Sequence, residues 1–544
     1  MIIPSWFVLL PPVAVLLVSL ITKRLNPSLI VGLISAGLIA TQFSLLGTIN
    51  LLSQRIVSQL TDPDNLYLYS FLIILGIIIS LFEYTGAATA FAHRLTTRLR
   101  SGRSSQFAAM TLSSTLFIDD YLSCLTTGYV MRPIMDRFNQ PRVKLAYLIH
   151  SLSGPLVILA PISSWIALIS SQLEKAGISP DPTGSSRIFA DPFYVYLQSL
   201  PYIFYSIILI ISVWFIVRRQ ISFGPMHEHE VIAAQTGNLF GGKEPLQTCS
   251  INVESQKGSM WDLIVPLLVL IISFVSGILW AGGYYLFGGN HSFLEALQKN
   301  NQTALALFVA SIITLAVASS IAFARKRVTL AAFKPITFNG ITMMKTSVIM
   351  VFLASTLGVM LKTDLQTGNY LAQILLGTLS IALLPLLFYI ISIITALITG
   401  SAWGTIALLI PIAVQLVVSL LDAQILTTFL EIPLPEPIAG ARLEMLFPVL
   451  GAIFSGAVCG NHISPIAETT IMSANSAGCY PIDHSITQFW YALPAIIAAG
   501  ISFLLVGLSW RYLGSAHVVI CMGIGIFLCL ASLMIANRLW KRKH

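Results

Sequence analysis

Asp119 and Asp120 stand side by side in the middle of an apolar run, Phe117-Ile118-Asp119-Asp120-Tyr121-Leu122-Ser123. On insertion scales one Asp at the centre of a membrane helix costs about 2.5–3.5 kcal/mol, and an adjacent pair roughly twice that, so the pair needs compensation. Two neighbouring carboxylates in a low-dielectric setting favour holding a proton between them. The same oxygens suit a hard cation such as Na⁺. The plainer alternative is that one Asp only caps a returning helix. Glu468, followed by Thr469 and Thr470, reads as a cation ligand, a proton carrier or a favourable charge at a helix N-terminus. Asn461 offers an uncharged ligand oxygen, and His462 is either a titrating group or a hydrogen-bonded structural one. Thr399, Ser401 and Thr405 surround Gly400 and supply hydroxyls for a cavity wall or for packing. Trp403 reads as a packing residue. Ser123, Ser153, Gly154 and Ser464 complete the candidate lining. His227-Glu228-His229-Glu230 is a weak metal motif and reads better as a solvated loop.

The elements that must hold these residues follow from composition. The chain has 544 residues, 56% of them hydrophobic and 10% charged, against about 25% charged in soluble domains. Its mean hydropathy is +0.84. A soluble enzyme, a secreted disulfide scaffold and a disordered chain are excluded. Continuous apolar runs rather than alternating ones exclude a transmembrane barrel. The fold class is an all-α polytopic membrane protein. The net charge of +8 sits in short loops, as the positive-inside rule requires, and gives no reason to expect nucleic acid. The first apolar run reads as a span rather than a removable signal. There is no ATP-binding loop of the Walker type and no HExxH, so transport would draw on ion gradients.

Lys23 and Arg24, Arg94 to Arg103, Arg132 to Lys144, Arg325 to Lys334 and the C-terminal Arg538, Lys541, Arg542 and Lys543 mark cytoplasmic loops and a cytoplasmic C-terminus. The acidic stretch 422–444 falls outside. Basic loops flank segment 106–131 on both sides, which predicts a re-entrant hairpin with Asp119 and Asp120 at its tip. Segment 371–421 fits either a second hairpin or two spans. Ser151-Leu152-Ser153-Gly154-Pro155 predicts a helix break with Ser153 or Gly154 as cap and Pro155 in the first turn beyond. Gly460-Asn461-His462-Ile463-Ser464-Pro465 predicts another, capped by Ser464. The domain plan is a first repeat over 1–217, a cytoplasmic linker over 218–260, a second, inverted repeat over 261–510, and an extra helix with a basic tail over 511–544. Two hairpins and two broken helices in inverted repeats describe many secondary transporters.

At these motifs the chain resembles the NhaC-type sodium/proton antiporter family of the ion transporter superfamily. The stretches that carry the resemblance are FIDDYLSCLTTGYVMRPIMDRF (117–138), KLAYLIHSLSGPLVILAPISSW (144–165), TGSAWGTIALLIP (399–411) and CGNHISPIAETTIMSANSAGCYPIDH (459–484). The resemblance implies a homodimeric antiporter in a bacterial inner membrane. It would exchange Na⁺ for H⁺ by alternating access, with membrane lipid around it and no cofactor. Asp119, Asp120, Asn461 and Glu468 would form the ion and proton site. Family members usually carry Asp at the positions of Asn461 and Glu468. The change at Asn461 leaves room for a second reading, an ion-coupled transporter of a small carboxylate such as malate or lactate, or of an amino acid.

Overall fold

In a bilayer every backbone N–H and C=O needs a partner inside the protein, which leaves helices as the way across for a chain without barrel periodicity. The computed structural model is accordingly all-α, with no β-strand among the described residues. Those residues are 6–22, 25–87, 90, 99–179, 188, 190–246, 258–300, 302–375, 380–428, 445–509 and 516–543. Among them, ten helices are long and apolar enough to cross a membrane. Their outer faces carry exposed Ile272, Phe338 and Phe527, a surface suited to lipid. Of the residues that set the expected topology, Lys23, Arg24, Arg94, Arg98 and the stretch 429–444 lie outside the described residues.

Helix α1 spans Pro63–Thr85. The segment expected to turn back on itself is two helices packed on one another, Gly102–Thr115 (α2) and Asp120–Asp136 (α3), broken at 116–119. Next come Arg142–Val157 (α4) and Ser164–Ala176 (α5), with a break between them. Phe204–Arg219 (α6) leads into the linker, whose Gly224–Thr236 (α7) is helical. In the second half Leu330–Val359 (α8) precedes Leu384–Thr399 (α9) and Ala402–Thr428 (α10), which meet at a tip of two residues, Gly400 and Ser401. Leu446–Ile463 (α11) and Glu468–Ala477 (α12) are separated by 464–467. Pro481–Ser509 (α13) and His517–Lys543 (α14) end the described chain. The order of tip pair followed by broken pair therefore occurs over 102–176 and again over 384–477.

Both breaks differ in detail from the sequence expectation. Helix α4 runs through Ser153, Gly154 and Pro155 without stopping. A proline near the end of a helix forfeits one hydrogen bond and permits a kink. The interruption, 158–163, contains the next proline, Pro161, and the residue before a proline is the natural helix boundary. Ser153 and Gly154 are thus interior residues, and Ser163 takes the N-cap position of α5. In the second break Ser464 is the C-cap of α11, not the N-cap of the helix that follows. Pro465 lies in the gap, and α12 begins at Glu468 after Ala467. The linker differs as well. His227 to Glu230 belong to α7, and Glu230 pairs with the buried Lys144 at 2.9 Å. Lys243 pairs with Asp483 at 2.7 Å. These contacts fasten the linker to α4 and α13.

Close approach of α9 to α11 is built on small residues. Gly456 and Gly460 lie one turn apart on α11, the spacing that lets membrane helices meet backbone to backbone. A Cβ at Gly456 would come within 2.5 Å of the Tyr389 carbonyl, and one at Gly460 within 2.3 Å of the Ile393 carbonyl. A second junction joins the halves. Pro411 inside α10 cannot donate to the Ala407 carbonyl. The Gln172 amide of α5 takes that place at 3.2 Å, and its oxygen accepts from Ser355 of α8. Gly456→Val or Gly460→Val should therefore destabilise the protein by about 1–3 kcal/mol through overpacking, read as a lower Tm in detergent. Gly523→Val, at a position with nothing near a new Cβ, should leave the Tm unchanged.

Candidate functional site

The two breaks and two tips are stitched in matching ways. At the first, the Ser164 N–H opening α5 donates to the Ile118 carbonyl at 2.9 Å, so the α2–α3 tip and the α4–α5 break share a backbone bond. At the second, Asn461 Nδ2 donates to the Gly400 carbonyl at 3.0 Å, and Ser464 Oγ donates to the Leu397 carbonyl at 2.9 Å. Gly400 has φ +65°, and a Cβ there would press on the backbone of Ile466 at 3.1 Å. Only glycine meets both demands at that corner. Between the two sets, Trp165 and Trp403 contact edge to face with ring centroids 6.0 Å apart. Trp403 packs, as its type suggested.

Asp119 and Asp120 are 2% and 3% exposed. Asp119 is the N-cap of α3, its Oδ1 accepting from the Leu122 N–H at 2.9 Å. Asp120 is the first residue of the helix. The plain capping role is thus real for Asp119, which also has the Ser164 hydroxyl as a partner. The helix N-terminus adds a favourable field for negative charge. Ser164 adjoins Asp119 and Trp165 adjoins Asp120. The Ser164 hydroxyl and the Trp165 indole N–H are the side-chain hydrogen-bonding neighbours of these two carboxylates, while the Ser163 hydroxyl is buried without a partner among the described residues. Buried polar atoms are nearly always paired. Two buried carboxylates flanked by a hydroxyl and an indole N–H form a polar cluster in an otherwise apolar interior. An oxygen-rich set of this kind fits a hard monovalent cation or a proton with water.

Glu468 lies at the first position of α12 and is exposed. Tyr121, next to Asp120, donates its hydroxyl to the Glu468 carboxylate. Asp120 and Glu468 also feel each other's charge. The structure therefore brings Asp119, Asp120 and Glu468 into one region. Among the described residues, however, no three His, Cys, Asp or Glu side chains converge on a single metal position. Asn461 is turned elsewhere, to Gly400 and Thr469. Gly154 borders open space, since nothing lies within 4 Å of a Cβ placed there. Ser123 bonds Ser113 across the α2–α3 pair at 2.9 Å, and Ser153 accepts from Cys124 at 3.1 Å. Thr405 donates to the Ser401 carbonyl at 2.9 Å, while Ser401 Oγ accepts from the Gly404 N–H at 3.1 Å and Thr399 Oγ1 from the Ser401 N–H at 3.2 Å. These hydroxyls hold the tips together.

A buried network absent from the sequence reading joins α13, α4, α12 and α11. His484 Nε2 meets His150 Nδ1 at 3.2 Å, His150 Nε2 meets Thr469 Oγ1 at 3.0 Å, and Thr469 Oγ1 meets Asn461 Oδ1 at 2.7 Å. Its direction can be worked out from one end. Asn461 gives its NH₂ to Gly400, so its oxygen accepts from the Thr469 hydroxyl. Thr469 must then accept from His150 Nε2–H, which leaves His150 Nδ1 as an acceptor. His484 Nε2–H and the Gln488 amide, at 2.8 Å, supply that acceptor. His462 stands beside the chain, bonded to Tyr205 at 2.7 Å and Ser151 at 3.0 Å. Each bond is satisfied by neutral imidazoles. His150 and His484 both lie within the quoted motif stretches. Their pairing, 334 positions apart, left no mark in either segment alone.

Comparison with known proteins identifies relatives of the whole chain. The sequence profile of the Na⁺/H⁺ antiporter family matches residues 156–508, a range that includes Asn461 and Glu468 and begins after Asp120. An uncharacterized protein of Haemophilus influenzae is 29% identical over 512 residues, which cover 92% of this chain and 91% of that one. Among solved structures, the YdaH transporter of Alcanivorax borkumensis is similar with a TM-score of 0.48 and 12% identity, over 83% of this chain and 90% of that one. MtrF of Neisseria gonorrhoeae is similar with a TM-score of 0.43 and 12% identity, over 97% and 94%.

The Asn461 bonds can be tested apart from transport. Asn461→Ala leaves the Gly400 carbonyl without its side-chain donor and the Thr469 O–H without an acceptor, and should cost about 1–3 kcal/mol, seen as a lower Tm in detergent. Asn461→Asp keeps an acceptor for Thr469 but faces Gly400 with a second acceptor, so it too should lower the Tm. Wild-type Tm values in both variants would show that this stitch does not hold the tip.

Proposed function

The chain belongs to the Na⁺/H⁺ antiporter family and is an integral membrane secondary transporter, and from that premise we propose that it exchanges Na⁺ for H⁺ by alternating access, with the Asp119–Asp120 pair carrying the two ions in turn. The observation that carries this reading is the buried carboxylate pair at a helix start, with the Ser164 hydroxyl beside it. With Na⁺ bound, both carboxylates are ionised and the cation offsets one of their two charges. When Na⁺ leaves, keeping two bare charges in a desolvated site is costly, and a proton takes its place. One site that is never left fully charged is enough to couple the two fluxes.

Glu468 and Tyr121 stand beside the pair where Glu468 is open to solvent, and act as the port through which the ion is handed on. Asn461, Thr469 and His150 hold the neighbouring tip in register and take no charge. The protein works in this reading as a homodimer in a bacterial inner membrane. The Lys and Arg residues of its short loops support a cytoplasmic side for those loops and the C-terminus in this reading.

Purified protein in liposomes with an internal pH-sensitive dye tests the proposal. Adding Na⁺ alone should drive protons out of the lumen. Asp119→Asn and Asp120→Asn should bring the signal down to that of protein-free vesicles. Ser164→Ala should raise the half-saturating Na⁺ concentration about tenfold, equivalent to ~1.4 kcal/mol of lost ligation. Because protons compete for the same oxygens, the half-saturating Na⁺ concentration should fall as pH rises. If Na⁺ moves no protons while malate, lactate or an amino acid does, the proposal fails and the site serves an organic solute.

A further inference from the structure

Glycine is among the least favourable residues in a helix interior, so one that sits there needs a reason. At Gly76, Gly128, Gly340, Gly456 and Gly460 the reason is contact, because a Cβ would strike a neighbouring helix. Gly154, inside α4, has no such reason. Its backbone is helical, and nothing lies within 4 Å of a Cβ placed on it. It precedes Pro155, and a residue before proline is crowded in the helical conformation. That crowding does not call for glycine in this chain. Pro133, Pro266, Pro335, Pro411 and Pro494 also lie inside helices, and Arg132, Val265, Lys334, Ile410 and Leu493 precede them. What remains is the room that the missing side chain leaves.

Gly154 follows His150 by four residues and Ser151 by three, so it continues the face of α4 that carries both. His150 meets Thr469 at 3.0 Å and Ser151 meets His462 at 3.0 Å, one on each side of the 464–467 break. One turn further along α4, that face looks across at the break itself. There Pro465, and Glu468 just beyond it, are exposed. An acid within a membrane span faces the bundle interior or a water-filled cavity, not lipid. On the other side of Gly154, Ser153 accepts from Cys124 at 3.1 Å, one turn along α3 from Asp120. The open space thus borders both the turn that carries Asp120 and the break that leads to Glu468.

We propose that Gly154 sets the size of what the transport site admits, the room beside it being where the transported cation, with the water it keeps, passes between Asp120 and Glu468. Gly154 is then a specificity-determining residue of the exchange proposed above, on which this role rests. Helix stability is given up at that position for room.

Substitutions at Gly154 test this, each read by Tm in detergent and by Na⁺-driven proton efflux from dye-loaded liposomes. Gly154→Ala should raise the Tm, as alanine does at a helical glycine with space around it. It should also raise the half-saturating Na⁺ concentration about tenfold, the cost of one added methyl group in a fitted site. Gly154→Leu should abolish efflux in a protein that still folds. Gly523→Ala, at the exposed glycine of α14, should leave the half-saturating concentration unchanged. A lower Tm in Gly154→Ala would make the glycine structural, and an unchanged half-saturating concentration through Gly154→Leu would mean that nothing passes there. Either result overturns the proposal. A second readout needs no Na⁺ flux. The native cysteines among the described residues are buried, so Gly154→Cys in a Cys249→Ser background should react with a membrane-impermeant thiol reagent. If Na⁺ moves no protons through the wild-type protein, the exchange reading fails and this reaction decides alone. A reactive thiol then keeps the passage for another solute, and an unreactive one overturns it.

Discussion

A membrane helix that stops halfway leaves N–H and C=O groups with no water to meet them. Everything at the centre of this protein depends on how those groups are satisfied. The Ser164 N–H finds the Ile118 carbonyl, Asn461 finds Gly400, and Ser464 finds Leu397. Each bond links a tip to the break of its own half, so neither interruption is stable alone. The same economy supplies the Ala407 carbonyl above Pro411 with the Gln172 amide. Interruptions are tolerated here because another interruption, or a well-placed amide, completes them.

The two halves use this common plan for different chemistry. The first half places two acids at its tip, with only the Ser164 hydroxyl and the Trp165 N–H beside them. The second places an amide there and pairs it completely through Thr469, His150 and His484. One side is electrostatically unfinished and can receive a guest. The other is closed and neutral, and its role is to hold position. Glu468 sits where they meet, bonded to Tyr121 of the first half while its backbone opens a helix of the second.

Much of this was legible in the chain. Low charge and continuous apolar runs fixed the class. Polar residues deep in apolar segments located Asp119, Gly400 and the Asn461–Glu468 stretch. What misled was local. Two prolines six residues apart, Pro155 and Pro161, carry the same signal, and tertiary packing decides which one ends the helix. Ser153 and Ser464 have the composition of caps, but a cap is defined by the N–H it meets, which depends on where the helix starts. The histidine network lay beyond reach for another reason. Its members are drawn from four helices, and no pattern within one segment reveals a partner 334 positions away.

The direction of that network has a consequence for an exchanger, which is useful only if protons do not slip through unaccompanied. Its donors point one way, from His484 through His150 and Thr469 to Asn461, and the last link is a carboxamide that neither releases nor takes up a proton under ordinary conditions. A file of hydrogen bonds ending on an acid would be a conducting wire. Ending on Asn461, the file has no group at that end to take up a proton, so it holds its four helices together without passing protons along them.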